Sequence, residues 1–504
     1  MAEHSSNTPD SELPEPAQKI VPHSPEGTLA ERWSWKKLSR MFALFGPAAI
    51  VASVAIGAGE TIVVVRCGSW FAYDLLWLVL LSSIVKGVFV TYLLGRYTAV
   101  SGEPLGQRLA RVPGPRGWLL LALVVLEMAA AGPLWGAVAR PCGDLLYYLF
   151  SGGASSPHEL LIERVLTSLF IAAALLVSLF LSYEKLEKQQ VIICGLLIVG
   201  TILGTLMVKP DLGAIIRGSL SFGHVPEFPP WAPENIRQHT SLTLATIFGY
   251  VGGSVLTYVV YADWISLHGW GLTGHPEIDT IRKRAAAGKP GDYLPDDPSS
   301  VAKILRSISP VKWDVGLGAF VLWSVSGSFM VAGAAVLYPL MKSGQLDAAF
   351  QNWSLLTDQA YIWRNVHESL IWVYYACVLT ALWGTLQAYP EIYSRVILDF
   401  GQSILPRSNW TRLKVQTAVS IYVFAAAMFI VWSDLPFDTV THIVAFLATN
   451  LGVALAMMAA LYLNFQLPPA YRTRWWMLVG GIASAIVLLI VSVISGVGLY
   501  HELR

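Results

Sequence analysis

The chain has 504 residues, 55% of them hydrophobic and 13% charged, with a formal net charge of +1 and a mean hydropathy of +0.55. A soluble globular protein carries about a quarter charged residues, so an ordinary soluble enzyme is excluded, and the near-neutral balance provides no field for nucleic acid. The class that remains is a polytopic membrane protein.

In chain order, residues 1–40 are polar, rich in Ser, Pro and Glu, and are predicted to be a disordered cytoplasmic tail without a secretory signal. A bilayer-crossing helix needs about 20 apolar residues. Eleven stretches qualify: 42–65, 75–95, 118–139, 165–183, 190–208, 241–262, 315–340, 370–389, 415–432, 439–463 and 475–500. They show no strand-like alternation, and a helix satisfies its own backbone hydrogen bonds in lipid, so the expected fold class is all-α. Residues 209–240 form a long external loop. Residues 267–313, with GHPEIDTIRKR and KPGDYLPDDPSS, form the largest cytoplasmic segment, expected to hold short helices at most. With the N-terminus inside, inner segments carry 23 Lys and Arg against nine outside. That bias predicts a multi-pass protein with a cytoplasmic N-terminus and an external C-terminus. Of the four cysteines, Cys67 and Cys142 both fall at external span ends and could pair; four unpaired thiols are the other reading.

Two spans are interrupted by glycine. The first reads SVAIGAGETIVVVR, placing Gly57, Ala58, Gly59 and Glu60 inside an apolar run. Glycine lets a helix unwind, and a carboxylate at that depth marks a pathway or a site. Five spans later ATIFGYVGGSVLTYVVYADW carries Gly252 and Gly253, then Ser254 and Thr257. Breaks in corresponding positions point to inverted repeats. The predicted division is a first five-helix repeat at 41–209, a second at 241–464 that contains the 267–313 insertion, and an eleventh helix at 465–504.

The stretch from Gly46 to Gly102, GPAAIVASVAIGAGETIVVVRCGSWFAYDLLWLVLL followed by LLGRYTAVSGEPL, resembles the first two helices of the Nramp (natural resistance-associated macrophage protein) metal transporters. The sixth span aligns through Gly252 to Tyr261. The resemblance implies a LeuT-type 5+5 inverted-repeat fold with helices one and six broken, and proton-linked uptake of manganese, iron and similar ions. The family's Asp-Pro-Gly-Asn motif falls on Gly57, Ala58, Gly59 and Glu60, and its Met-Pro-His on Leu256, Thr257 and Tyr258. The site implied by the resemblance therefore comprises Gly57, Ala58, Gly59, Glu60, Gly253, Ser254, Leu256, Thr257 and Tyr258. Its ligand aspartate and thioether are gone. Oxygen donors suit magnesium and manganese, and Mg²⁺ binds through one or two carboxylates and waters. Glu60, acting through water, is the expected metal contact, as in the magnesium-transporting branch related to Nramp.

The family's third-helix acids fall on Leu134 and Ala137. Lys86 and Glu127 are the buried charges left in the second and third spans, read as an ion pair rather than a conducting path. Asp263, His268 and Arg66 lie at span ends and are read as snorkelling side chains. Transport is then expected to run without a stoichiometric proton. Three alternatives stay open: a transporter of a small anion such as bicarbonate, drawn by helix N-termini; an intramembrane hydrolase, since G-A-G-E faintly resembles an aspartyl-protease motif although no HExxH or GxSxG occurs; and a non-transporting sensor. No cofactor is expected, and the partners are a small inorganic ion and the lipid bilayer.

Overall fold

A computed structural model describes residues 32–504 except 58, 155, 288–290, 347–352, 354, 365 and 406–408. Among the described residues, ten helices are long and apolar enough to cross a membrane: Leu76–Ser101, Trp118–Ser151, Glu159–Phe180, Tyr183–Met207, Thr240–Gly274, Pro298–Lys342, Leu370–Ile404, Arg412–Val431, Phe437–Gln466 and Trp475–Glu502. Ahead of them lie Pro47–Ala55, Gly59–Val64 and Val65–Phe71, together called span one below, so the candidate spans number ten or eleven.

Spans one, two, six and seven pack on one another as one group, and three, four, eight and nine as another. Span five lies against one and seven, and span ten against two, three and eleven. Each member of a group thus has its partner five spans away, which is the packing of a LeuT-type inverted repeat.

Of the expected tail, residues 1–31 lie outside the described residues, but Trp35–Ala43 is a helix, bent by 67° from Pro47–Ala55. Ser34 caps it by accepting from Lys37 N at 3.0 Å. Trp33 and Trp35 are exposed beside Lys36, Lys37 and Arg40, the pattern of a helix lying in a membrane interface. Spans three and eight run past their predicted ends, to Ser151 and Ile404, through Pro133, Pro141 and Pro390. Proline ends helices in water, but buried neighbours let a membrane helix carry it.

The 209–240 segment holds the short helices Leu212–Leu220 and Glu234–Gln238. The 267–313 segment holds Ile278–Ala286 and Pro298–Ser307, the latter capped by Asp297 accepting from Ser300 N at 2.8 Å. All four cysteines are free, with Cys377 exposed and the others buried.

Asp314 on span seven is buried against the start of span one. It accepts from Gly46 N at 3.1 Å, Ala48 N at 2.9 Å and the Tyr261 hydroxyl at 2.9 Å. It supplies the anionic cap that Gly46 has no side chain to provide. Asp314→Ala is expected to destabilise the protein by about 2–3 kcal/mol, since it removes a cap and strands buried donors. Thermal unfolding in detergent reads this, and an unchanged midpoint would refute the capping role.

Candidate functional site

The first half of span one, Pro47–Ala55, is apolar and ends at Ile56, where ψ reaches 60°. Gly57 N turns back to donate to Ala55 O at 2.7 Å. The chain resumes as a wide helical turn, Gly59–Val64, and then Val65–Phe71. Ala58 lies outside the described residues. Span six runs from Thr240 to Tyr250, leaves the helical form through 251–254, and resumes at Val255–His268. Gly252 takes φ 114°, a conformation that favours glycine. A Cβ on Gly59 would stand 2.4 Å from Tyr250 O, so only glycine lets the two breaks touch.

An unwound helix exposes amides on one side of the break and carbonyls on the other. Here side chains answer both sets. Toward the amides, Glu60 Oε1 accepts from Gly252 N at 3.1 Å, the Tyr258 hydroxyl from Gly253 N at 2.8 Å, and Glu127 Oε2 from Leu256 N at 3.3 Å. Toward the carbonyls, Lys86 Nζ donates to Phe248 O at 2.9 Å and Gly249 O at 2.7 Å, and lies 4.9 Å from the Phe248 ring centroid. Ser82 Oγ sits 2.8 and 2.7 Å from the carbonyls of Phe248 and Val251. The cation is thus at the negative end of one half-helix, and a carboxylate at the positive end of the other.

The ion pair expected between Lys86 and Glu127 is not formed. Each binds backbone on opposite sides of the span-six break, and the acid whose charge bears on Lys86 is Glu60. Glu60 and Glu127 are fully buried, and Glu60 Oε2 and Glu127 Oε1 have no close hydrogen-bond partner, although the Ser254 and Tyr393 hydroxyls stand near Glu127. Ser254 and Thr257 face each other at 3.3 Å, and Thr61 Oγ1 donates to Gly57 O at 2.7 Å. Thr257 and Leu256 stand in the resumed helix, Leu256 offering the site its amide.

Between the breaks is a cavity of about 20 Å³, lined by Gly57, Gly59, Gly252, Ser254, Thr385, Tyr389 and Thr449 together with apolar side chains that include Leu134. That is room for about one water. Sequence reading missed Thr385, Tyr389 and Thr449. Spans eight and ten bring them in, and no motif marks them. It also missed Ser82, an unremarkable serine in an apolar run.

Three span-end residues depart from simple snorkelling. Arg66 is buried, paired with Asp438 at 2.7 Å, with Trp70 and Phe437 rings at 4.9 and 5.5 Å from its guanidinium carbon. His268 pairs with Glu187 at 2.9 Å. The charges of Asp399, Arg395 and Arg282 bear on Asp263. Beside it, Glu391 is held by Arg395 and Arg412. Among the described residues, no group of three or more His, Cys, Asp or Glu is gathered as a metal site.

Two discontinuous helices meeting inside two interlocked helix groups define an inverted-repeat membrane fold of the secondary-transporter class. The chain belongs to the family described as Nramp, natural resistance-associated macrophage protein-like, which it matches over residues 48–498. It is 26% identical over 322 residues to the divalent metal cation transporter MntH of Chromohalobacter salexigens, covering 63% of this chain and 60% of that one. Across the MntH relatives it matches, it spans 44% to 60% of their length. A crystal structure of a variant of the Eremococcus coleocola manganese transporter matches at TM-score 0.61 and 14% identity, over 95% of this chain and 90% of that one. The structure of MhsT with L-phenylalanine matches at TM-score 0.51 and 13% identity, over 89% of this chain and 98% of that one. At such identities the likeness is one of fold. The relatives are named as transporters.

Proposed function

We propose that the chain is a secondary transporter of a divalent metal cation, that it takes a hard ion such as Mg²⁺, or Mn²⁺, with part of its water shell kept, and that no proton is coupled. The observation that carries this reading is the donor set at the breaks. It consists of the Glu60 and Glu127 carboxylates, each with one buried oxygen that has no close hydrogen-bond partner, the Tyr258 phenol, and the Ser254 and Thr257 hydroxyls. Of these, Ser254 lines the small cavity, and the two carboxylates do not. A buried, unpaired carboxylate oxygen costs about 1–3 kcal/mol or more, and a cation beside it offsets that cost. Oxygen donors suit hard ions, and Mg²⁺ keeps several waters when one or two carboxylates hold it. The names of the MntH relatives and of the manganese transporter support a divalent cation as cargo.

A cavity with room for one water cannot admit a hydrated ion. Loading in this reading requires the span-one and span-six halves to swing apart. The repeats that would rock are taken as 41–209 and 241–464, with 465–504 as an addition and the N-terminus cytoplasmic.

The absence of coupling rests on what stands at the breaks. Gly57 occupies the aspartate position, Leu134 and Ala137 the acidic positions of span three, and Tyr258 holds Gly253 N. The Phe248 and Gly249 carbonyls, which a coupling Na⁺ would use, carry the Lys86 ammonium instead. Proteoliposomes loaded with a pH-sensitive dye are expected to show Mg²⁺ uptake without matching acidification. Proton entry that scales with uptake and vanishes in Glu60→Gln would overturn the uncoupled reading.

The position of Lys86 also favours a second reading, transport of a small anion such as bicarbonate. Parallel flux assays with Mg²⁺, Mn²⁺ and labelled bicarbonate separate the two, and flux of none of them would indicate a sensor.

A further inference from the structure

Away from the breaks, a cavity of about 570 Å³ opens where span two ends and span eleven begins. Its lining includes Arg96 from span two, Arg306 and Lys312 around the start of span seven, and Arg472 and Arg474 from the turn before span eleven. No carboxylate lines it. The charges of Arg96 and Arg474 both bear on Lys312, so the cluster repels itself as it stands.

Arg96 is 4% exposed. Its Nη2 donates to Tyr471 O, the Tyr92 phenol also engages the guanidinium, and Nη1 has no close hydrogen-bond partner. A guanidinium lining a cavity with four further cations, Arg306, Lys312, Arg472 and Arg474, and no carboxylate calls for an anion. The other wall of the cavity is apolar and aromatic, with Val88, Leu305, Trp476 and Met477. It continues onto the outer face of span eleven, where Trp475, Trp476, Val479 and Ile482 are exposed. Tryptophans at the start of a span sit at headgroup level.

We propose that this cavity binds the anionic headgroup of a phospholipid. The phosphate is held by Arg96, Lys312 and Arg474, and the acyl chains lie along the exposed face of span eleven. A free phosphate would satisfy the same cations but would leave that apolar wall uncovered, which is why a lipid fits better. Basic pockets between membrane helices are suited to such headgroups. Because Arg306 and Lys312 lead into span seven, which packs on both halves of span one, the bound lipid would brace the group of helices that carries the breaks.

The purified full-length chain is exchanged into micelles doped with either phosphatidylglycerol or phosphatidylcholine. Thermal unfolding and lipid retention by native mass spectrometry are then read. Phosphatidylglycerol is expected to raise the midpoint by several degrees over phosphatidylcholine and to stay bound. Lys312→Gln with Arg474→Gln, both exposed, is expected to remove the shift and weaken retention at least about tenfold. Should that double variant fail to fold, Arg306→Gln alone is expected to weaken retention severalfold. An equal shift in the variants, equal retention of phosphatidylcholine, or the same shift from inorganic phosphate without anionic lipid would each overturn the proposal.

Discussion

Glu60→Gln is expected to lower ion flux by at least about tenfold while the protein still folds. The amide is nearly the size of the carboxylate, and its oxygen can go on accepting from Gly252 N, 3.1 Å away. The variant therefore keeps the seam between the two breaks and loses only the negative charge. The lost charge includes Oε2, the oxygen with no partner. Groups that hold or orient a metal typically cost 10–100-fold when altered. Glu60→Ala removes the acceptor as well and should lose both flux and stability, because the Gly252 amide is left buried and unpaired. The measurement is Mg²⁺ and Mn²⁺ flux into proteoliposomes, beside thermal unfolding of the same preparation. Wild-type flux in Glu60→Gln would mean that Glu60 serves only as a strut between the half-helices.

Lys86→Met should have the largest effect on stability. The ammonium is fully buried, donates to two carbonyls at the end of a half-helix and balances the charge of Glu60. Methionine has a similar length but leaves those carbonyls without that donor and Glu60 uncompensated. Breaking a buried charge arrangement by removing one member costs about 3–5 kcal/mol. Adding Glu60→Gln should restore part of the loss, with an interaction of about 1–3 kcal/mol between the two changes. Unfolding midpoints of the wild type, both single variants and the double variant in one detergent decide it. Strictly additive losses would show that Lys86 and Glu60 do not sense each other.

The breaks were legible because their cause is local. Gly57, Gly59, Gly252 and Gly253 are rare within apolar runs, and a helix unwinds where its own residues permit it. The structure breaks span six at 251–254, so Thr257, read as part of the break, is in the resumed helix. The misreading of Lys86 and Glu127 has the opposite cause. A buried lysine and a buried glutamate on neighbouring spans look like partners in a one-dimensional list. In three dimensions the unwound backbone of span six stands between them, and its amides and carbonyls are the stronger local demand. Arg66 was misread likewise, since Asp438, its partner, is 372 residues away. The clip on the start of span one was invisible too, because Asp314 looks like a stray acid until span seven packs against Gly46.

By itself the sequence determined the class of protein, ten of the spans and the two points of interruption. Hydropathy over about 20 residues and glycine in an apolar run are properties of the chain before it folds. Only the tertiary structure decided which side chains serve the opened backbone: Lys86 and Ser82 on the carbonyls, Glu60, Tyr258 and Glu127 on the amides, and Thr385, Tyr389 and Thr449 around the cavity. Those choices depend on how far each helix is rotated and shifted against its neighbours. That register is set by the packing of spans far apart in the chain, so no single span contains it.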